Sequence, residues 1–214
     1  MAQPTRYFPK LVRTFEARFE TFLFMKLFRS FALVLGVGLA VAGLRATTVI
    51  PPTFDQLVSQ AEFIFQGTVT GTNPQWAGEG GERHIVTYVT FKIEDPIKGA
   101  LGDTYTVRMF GGTVDGHTME ATDTPRFKVG DRDILFVENN GKQFVPLVGI
   151  MHGRFRVQEQ GNGRETIAKD NGAPMANVTK LGQDENAATS GKALSTADFK
   201  AAIRQKLAQT AAVK

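Results

Sequence analysis

The stretch His84–Glu94, HIVTYVTFKIE, decides the fold class. Ile85, Thr87, Val89, Phe91 and Ile93 fall on one side of an extended chain. His84, Val86, Tyr88, Thr90, Lys92 and Glu94 fall on the other, a period of two that marks a β-strand. Eleven residues at about 3.3 Å each give roughly 36 Å, too long to lie flat across a small domain. The strand is expected to bend, and a bent strand can pair on either side of a small curled barrel.

The neighbouring sequence supports this reading. Upstream, Ala61, Phe63, Phe65, Gly67 and Val69 alternate with mostly polar residues and predict a strand. Thr72–Gly81, TNPQWAGEGG, is rich in turn formers and predicts an exposed loop carrying Trp76, the only tryptophan. Before the strand, Thr53 and Gln56 have capping-box spacing ahead of Phe54, Leu57, Val58 and Ala61, which predicts a short helix. Downstream, Pro96 and Gly99 end the long strand, and Tyr105, Val107 and Met109 alternate in another. Phe110–Gly130 reads as a long irregular segment, of the kind that is often functional. Its Gly111-Gly112 pair lacks the following Gly and Lys of a phosphate loop and reads as a chain reversal.

The consecutive run Ile134-Leu135-Phe136-Val137 predicts a strand covered on both faces. Asn140-Gly141 then predicts a hairpin turn into Phe144, Val145, Leu147 and Val148. A second hairpin is expected where Phe155 and Val157 alternate with Arg154, Arg156 and Gln158 and Asn162-Gly163 turns into Glu165–Ala168. Residues 171–194, poor in large apolar side chains, read as a flexible linker, with Asn177-Val178-Thr179 matching a glycosylation acceptor pattern. Ser195 and Asp198 cap a helix over 195–210, striped by Phe199, Ala202, Ile203 and Leu207 and expected to dock on the body or on a partner. The expected fold is mainly all-β: a small antiparallel OB-like barrel over 47–170, with an N-terminal short helix, a C-terminal β-hairpin and a loosely tethered terminal α-helix.

Residues 1–46 read as a leader. Phe31–Leu44 is an unbroken apolar run of fourteen, preceded by Lys26 and Arg29, which is the plan of a secretory signal peptide. It falls short of the about 20 residues that span a bilayer. Small residues allow cleavage after Ala42 or after Ala46. The 24-residue prelude before Met25 reads as a start assigned too early or as a presequence, with Phe8, Val12, Phe15 and Phe19 at helical spacing among basic residues. The formal charge of +4 belongs to this leader, because the chain beyond residue 46 carries about −1. A nucleic-acid partner would need a cationic surface that such a chain does not offer. With no Cys among 214 residues, disulfides, thiolate metal sites and cysteine nucleophiles are excluded.

No catalytic set emerges. His84, His117 and His152 stand far apart without metal-pair spacing, and a lone histidine is ordinarily a satisfied polar residue. A zinc site from His117 and His152 with Asp115 or Glu120 would require folding to bring them together. Ser59, Ser190 and Ser195 lie in a helix or the tail, far from a nucleophile elbow. Asp131 and Asp133 read as solvated residues at a strand entrance rather than a glycosidase-like pair. Trp76 and Tyr88, with apolar bodies and polar edges, are the better contact candidates, and both could equally be covering residues of the core. With His117 and His152 they make up the ligand-binding candidates.

The order short helix, AEFIFQGTVT, loop, IVTYVTFKIEDPIKG, TYTVRMF, glycine-rich loop and FKVGDRDILFV resembles the netrin-like domain, a group that includes the tissue inhibitors of metalloproteinases. The likeness covers about Phe54 to Val137 and rests on Ala61-Glu62, Lys98-Gly99 and Val129-Gly130. It implies an OB-fold barrel. The sequence is also similar to uncharacterised bacterial exported proteins, with a Gly-x-Phe strand at Gly153-Arg154-Phe155 and a polar tail ending in a helix. The inhibitors act through an N-terminal Cys held by disulfides, and a chain without Cys lacks that device.

The expectation is therefore a secreted or periplasmic, noncatalytic binding module for a protein or an extracellular polymer. No cofactor, metal or nucleic acid is expected, and a membrane is met only through the signal segment before cleavage. The alternatives are a metal-assisted hydrolase using the loop histidines and a structural protein of envelope assembly. Terminal sequencing of the exported protein is expected to read from Gly43 or Thr47; a mature chain that still starts at Met1 or Met25 would overturn the leader reading.

Overall fold

The computed structural model describes residues 50–161 and 163–212. The expected leader and its cleavage sites lie outside the described residues. Among the described residues no helix is long and apolar enough to cross a membrane. The elements run α1 (Phe54–Gln60), β1 (Phe63–Ala77), β2 (His84–Lys98), β3 (Thr104–Phe110), β4 (Gly112–Val114), β5 (His117–Met119), β6 (Arg132–Val137), β7 (Arg154–Glu159), β8 (Glu165–Lys169), α2 (Glu185–Thr189) and α3 (Thr196–Ala212). Six strands form one antiparallel sheet in the order β3-β2-β1-β6-β7-β8, and β4 pairs with β5.

The mainly antiparallel β architecture is the expected one, and so is the first helix. Thr53 accepts the Gln56 N–H while the Gln56 side chain accepts the Thr53 N–H, completing the capping box. At the other end Lys98 Nζ donates to the carbonyls of Val58 and Ser59, at 2.8 and 3.2 Å, placing a cation where a helix terminus favours one.

The long strand also bends as expected, and its partner is longer than the sequence suggested. β1 does not stop before Thr72 but runs on to Ala77, with Asn73 opposite Tyr88 and Trp76 opposite Ile85. The turn-forming residues are held extended because β2 supplies a partner all the way out. β6 pairs only with Phe63–Thr68, so the outer half of β1 is an edge, where Pro74 is tolerated. Register shifts between Ile64 and Phe65, Gln66 and Gly67, and Val69 and Gly71 bend the β1–β2 ribbon and increase its twist.

The bend does not close a barrel. Among the described residues, β3 pairs with β2 alone, and its other edge meets the loop after β6 instead of a strand. There the Asn140 side chain takes the part of a missing peptide group. Its Oδ1 accepts the Arg108 N–H at 3.0 Å, and its Nδ2 donates to the Thr106 carbonyl at 2.8 Å and to the Tyr105 hydroxyl at 3.1 Å. The Phe144 carbonyl accepts the Phe110 N–H at 2.7 Å. This alters the hairpin expected at Asn140-Gly141. The chain does return, with Val137 bridged to Leu147, but residues 139–145 swing out to cover the β3 edge instead of pairing as a strand.

Side-chain alternation divides the core between the two faces of the sheet. On one, Ile64, Ile134, Phe136, Phe155 and Ile167 pack against α1 and against Phe199 and Ile203 of α3. On the concave face, Phe65, Phe91, Val107, Met109, Leu135 and Leu147 pack against one another. Ile134–Val137 is fully buried because β6 lies under both layers, as its unbroken apolar run predicted. The helix expected to be loosely tethered is firmly docked: Phe199 and Ile203 are 0% exposed, Arg204 Nη2 reaches both oxygens of Asp95, and Lys200 Nζ bonds Asp95 and the buried Gln66. Its Ser195 Oγ accepts the Asp198 N–H, as the cap pattern indicated.

The segment 171–194 is a correction. It is not a flexible linker but the cover of the other sheet edge. Met175 N–H donates to the Ile167 carbonyl, Ile167 N–H to the Leu194 carbonyl, and Leu194 N–H to the Met175 carbonyl. Met175, Leu181 and Ala188 join the helix-side core. Its small residues serve close packing: at Gly182, with φ +69°, an added Cβ would stand 2.6 Å from the Thr53 nitrogen. Thus both edges of the sheet are covered, one by 139–145 and one by 173–195.

Asn140→Ala is expected to leave the Arg108 N–H and the Thr106 carbonyl without their partner and to cost about 1–3 kcal/mol in urea unfolding. Amide exchange in β3 should accelerate first; unchanged exchange at Arg108 would count against this role for Asn140.

Candidate functional site

The chain leaves β3 through two glycines, Gly111 and Gly112, both at positive φ. A Cβ at Gly112 would lie 2.4 Å from Thr87 Oγ1 and 3.1 Å from Pro74, so the reversal is specified by close approach to the sheet. The β4–β5 hairpin and residues 120–127 then fold over the open end of the concave face. They enclose a hollow of about 320 Å³. Its floor is apolar, with Val89, Met109 and Phe127, and its walls carry the hydroxyls of Thr72, Thr87, Thr113 and Thr124. Thr87 Oγ1 donates to the Gly111 carbonyl at 2.6 Å, whereas Thr124 Oγ1 is buried with no hydrogen-bond partner among the described residues. At the rim Glu120 pairs with Arg126.

What fixes this wall is Arg154. The residue was expected on the solvent side of its strand, opposite Phe155. Instead it faces the concave core, opposite Leu135, and is 2% exposed. Its Nε and Nη2 bind the two oxygens of Asp133 at 2.9 and 3.0 Å, and Nη2 also binds Asp131 at 2.8 Å. Nη1 binds the Arg126 carbonyl at 2.7 Å and Asp170 at 3.2 Å, and the guanidinium lies 4.2 Å over the Phe127 ring. All five donors are used. Burial works against the charge, but the Asp133 carboxylate, then Asp170 and Asp131, outweigh it and hold the guanidinium above its ordinary pKa. Asp131 and Asp133, expected as solvated residues at a strand entrance, are instead both partners of one buried cation.

The four contact candidates separate into three places. Trp76 is not in an exposed loop. It is half-buried near the end of β1, on the same face as Thr72 and Pro74, which line the hollow. Arg83 sits 4.2 Å over its ring, and His117 of β5 meets it edge-on at 5.8 Å. Trp76 and His117 are therefore neighbours on that face, beyond Pro74 along β1, and neither lines the hollow itself. Tyr88 lies on the opposite face, paired with Asn73 and Arg108, since cross-strand partners share a side. His152 lies in the 3-10 turn before β7, where burial, and then the charge of Lys169, lower its pKa.

The zinc set expected from His117, His152 and a carboxylate does not assemble. Among the described residues no group of three or more His, Asp or Glu side chains stands close enough to hold a metal ion. Asp115 and Glu120 follow the β4–β5 hairpin with His117, and His152 stays with the Lys169–Glu185 pair.

A second, larger depression of about 540 Å³ opens beyond residues 121–124, on the side of β3 that meets the 139–145 loop. Arg108, Lys142, His84 and Phe144 line it, and it shares Ala121 and Thr124 with the first hollow. Sequence reading missed this place because Arg108 and Phe144 are brought together by the Asn140 edge contact, which no local pattern announces.

The positions that carry the resemblance do structural work here: Glu62 N–H donates to the Val137 carbonyl, Lys98 caps α1, and Gly130 N–H donates to the Val69 carbonyl. Comparison with known proteins finds no matching family model, curated protein or solved structure. Fold and site define a class no narrower than a curled antiparallel sheet with a walled concave face.

Arg154→Met is expected to leave Asp133 buried without its cation and to destabilise the protein by about 3–5 kcal/mol. Adding Asp133→Asn should recover part of that loss. Chemical denaturation of the single and double variants measures the coupling, and simple additivity would refute it.

Proposed function

We propose that the protein is an exported, noncatalytic binding module whose ligand is a protein or an extracellular polymer. The curled half of the sheet, β3-β2-β1-β6, serves as an OB-like platform of the netrin-like kind, and the hollow over its concave face, with Trp76 further along β1, is the contact surface. The observation that carries this reading is the hollow itself. A walled, largely apolar cavity with a few convergent hydroxyls is what a ligand site requires, and Thr124 Oγ1 stands buried in its wall as a polar group awaiting a partner. The half-buried Trp76 beside it offers a large surface at small entropic cost.

The histidine-based hydrolase reading has less support, because its ligands remain in separate places. A structural role in envelope assembly that uses the terminal helix is also less favoured, since the apolar stripe of α3 is spent on the protein's own core.

Pull-downs and glycan arrays with the purified protein are expected to yield a saturable ligand. Trp76→Ala should weaken it about tenfold or more at unchanged melting temperature, as for a contact worth about 1–2 kcal/mol. A ligand bound equally well by Trp76→Ala, or no saturable ligand at all, would sink the reading.

A further inference from the structure

The depression on the outer side of β3 has a chemistry of its own. One wall is basic. Arg108 projects from β3 and is half-buried; its Nη2 lies 3.4 Å from His84 Nε2, and no carboxylate pairs with it among the described residues. Lys142 stands at the rim, exposed and likewise without an ion pair among the described residues. No Asp or Glu lines the depression, and Glu120, on the neighbouring loop, is paired with Arg126. Several other half-buried cations have carboxylates: Arg132 has Glu94 and Glu165, Lys200 has Asp95, and Lys169 has Glu185. A half-buried guanidinium facing an open cavity without an anion is a departure from that pattern, and guanidinium is suited to gripping a carboxylate through two parallel bonds.

The opposite wall is apolar and held in place. Phe144 is 66% exposed, one of the three large exposed apolar side chains among the described residues. Yet its carbonyl is bonded to the Phe110 N–H, and its ring meets Phe110 at 5.2 Å and His84 at 6.2 Å, each edge-on. An exposed ring fixed by its own backbone is preorganised for contact. Buried Val145 and half-buried Ile150 continue this wall, and Thr124 Oγ1, buried and unpartnered, belongs to the lining as well.

We infer that the groove between Arg108, Lys142 and Phe144 receives a peptide segment of a partner protein in which a carboxylate side chain adjoins an aromatic or aliphatic one. The carboxylate lies between Arg108 and Lys142, and the apolar side chain lies against Phe144. A volume of about 540 Å³, open to solvent, suits a few residues of an extended chain. The inference deepens the binding-module reading by choosing protein over polymer, and it uses a surface separate from that of Trp76.

The test is a titration of the full chain with the blocked pentapeptide Phe-Glu-Leu-Glu-Phe and its Phe-Gln-Leu-Gln-Phe counterpart, followed by amide NMR shifts and calorimetry. The glutamate peptide is expected to bind about tenfold or more tightly than the glutamine one, with shifts centred on Arg108 and residues 142–145. That preference should shrink when salt rises from about 0.05 to about 0.5 M. Arg108→Gln should abolish it, Lys142→Ala should reduce it several-fold, and Phe144→Ala should weaken both peptides together. Lys142 and Phe144 are exposed, so their variants keep the test sharp should Arg108→Gln not fold. Equal binding of the two peptides, a preference that survives both cation variants, or shifts centred elsewhere would overturn the inference. Failure of both peptides to saturate would overturn it too, while a ligand lost on Trp76→Ala would still leave the binding-module reading standing.

Discussion

The guanidinium of Arg154 is the point on which the rest of the structure depends. It is a buried cation in the middle of a β protein, and its five donors tie together three parts of the chain: the entrance of β6, the end of β8 and the loop that walls the concave face. Removing a charge from water costs several kcal/mol, and only a full set of partners offsets it. Those partners must therefore stay where they are. The Arg126 carbonyl and the Phe127 ring, pinned by Arg154, carry with them the segment that separates the two depressions. A polar cluster costly to assemble thus acts as a fixed point for a loop that would otherwise be free to wander.

Around that fixed point the sheet solves the problem of its edges without closing. A closed barrel would abolish the edges; here a side-chain amide and a carbonyl stand in for a strand at β3, and a short coil with a helical turn does so at β8. Beside this Asn140 contact, Arg108, His84 and Phe144 come to surround an open groove. The same curl, produced by three register shifts between β1 and β2, shapes the face that holds the first hollow. Structural economy and candidate sites share one origin.

Under the binding-module proposal both depressions act in recognition. Hydroxyls border one, and a guanidinium without a carboxylate partner and an exposed but anchored phenylalanine border the other, groups that offer contact and charge. The histidine whose pKa is lowered, His152, lies apart from both, next to a lysine and a glutamate that already pair.

Much of the local structure could be read from the residues. The alternation in His84–Glu94, the unbroken run Ile134–Val137, the Thr53–Gln56 box and the Ser195–Asp198 cap each describe a pattern set by neighbours in the chain, and each appears as expected. Three features were decided only by contacts distant in sequence. Thr72–Ala77 is a strand because β2 reaches out to pair with it; 173–195 is ordered because β8 has an edge to cover; and Arg154 points inward because Asp131, Asp133 and Asp170 converge on it. Turn-forming and small polar residues state what a segment tolerates, not what will come to meet it. The sequence by itself determined a β-rich domain with helices at both ends. Where its cations are satisfied, and where one is left facing a groove, depends on partners distant in the chain, and only the tertiary structure could decide it.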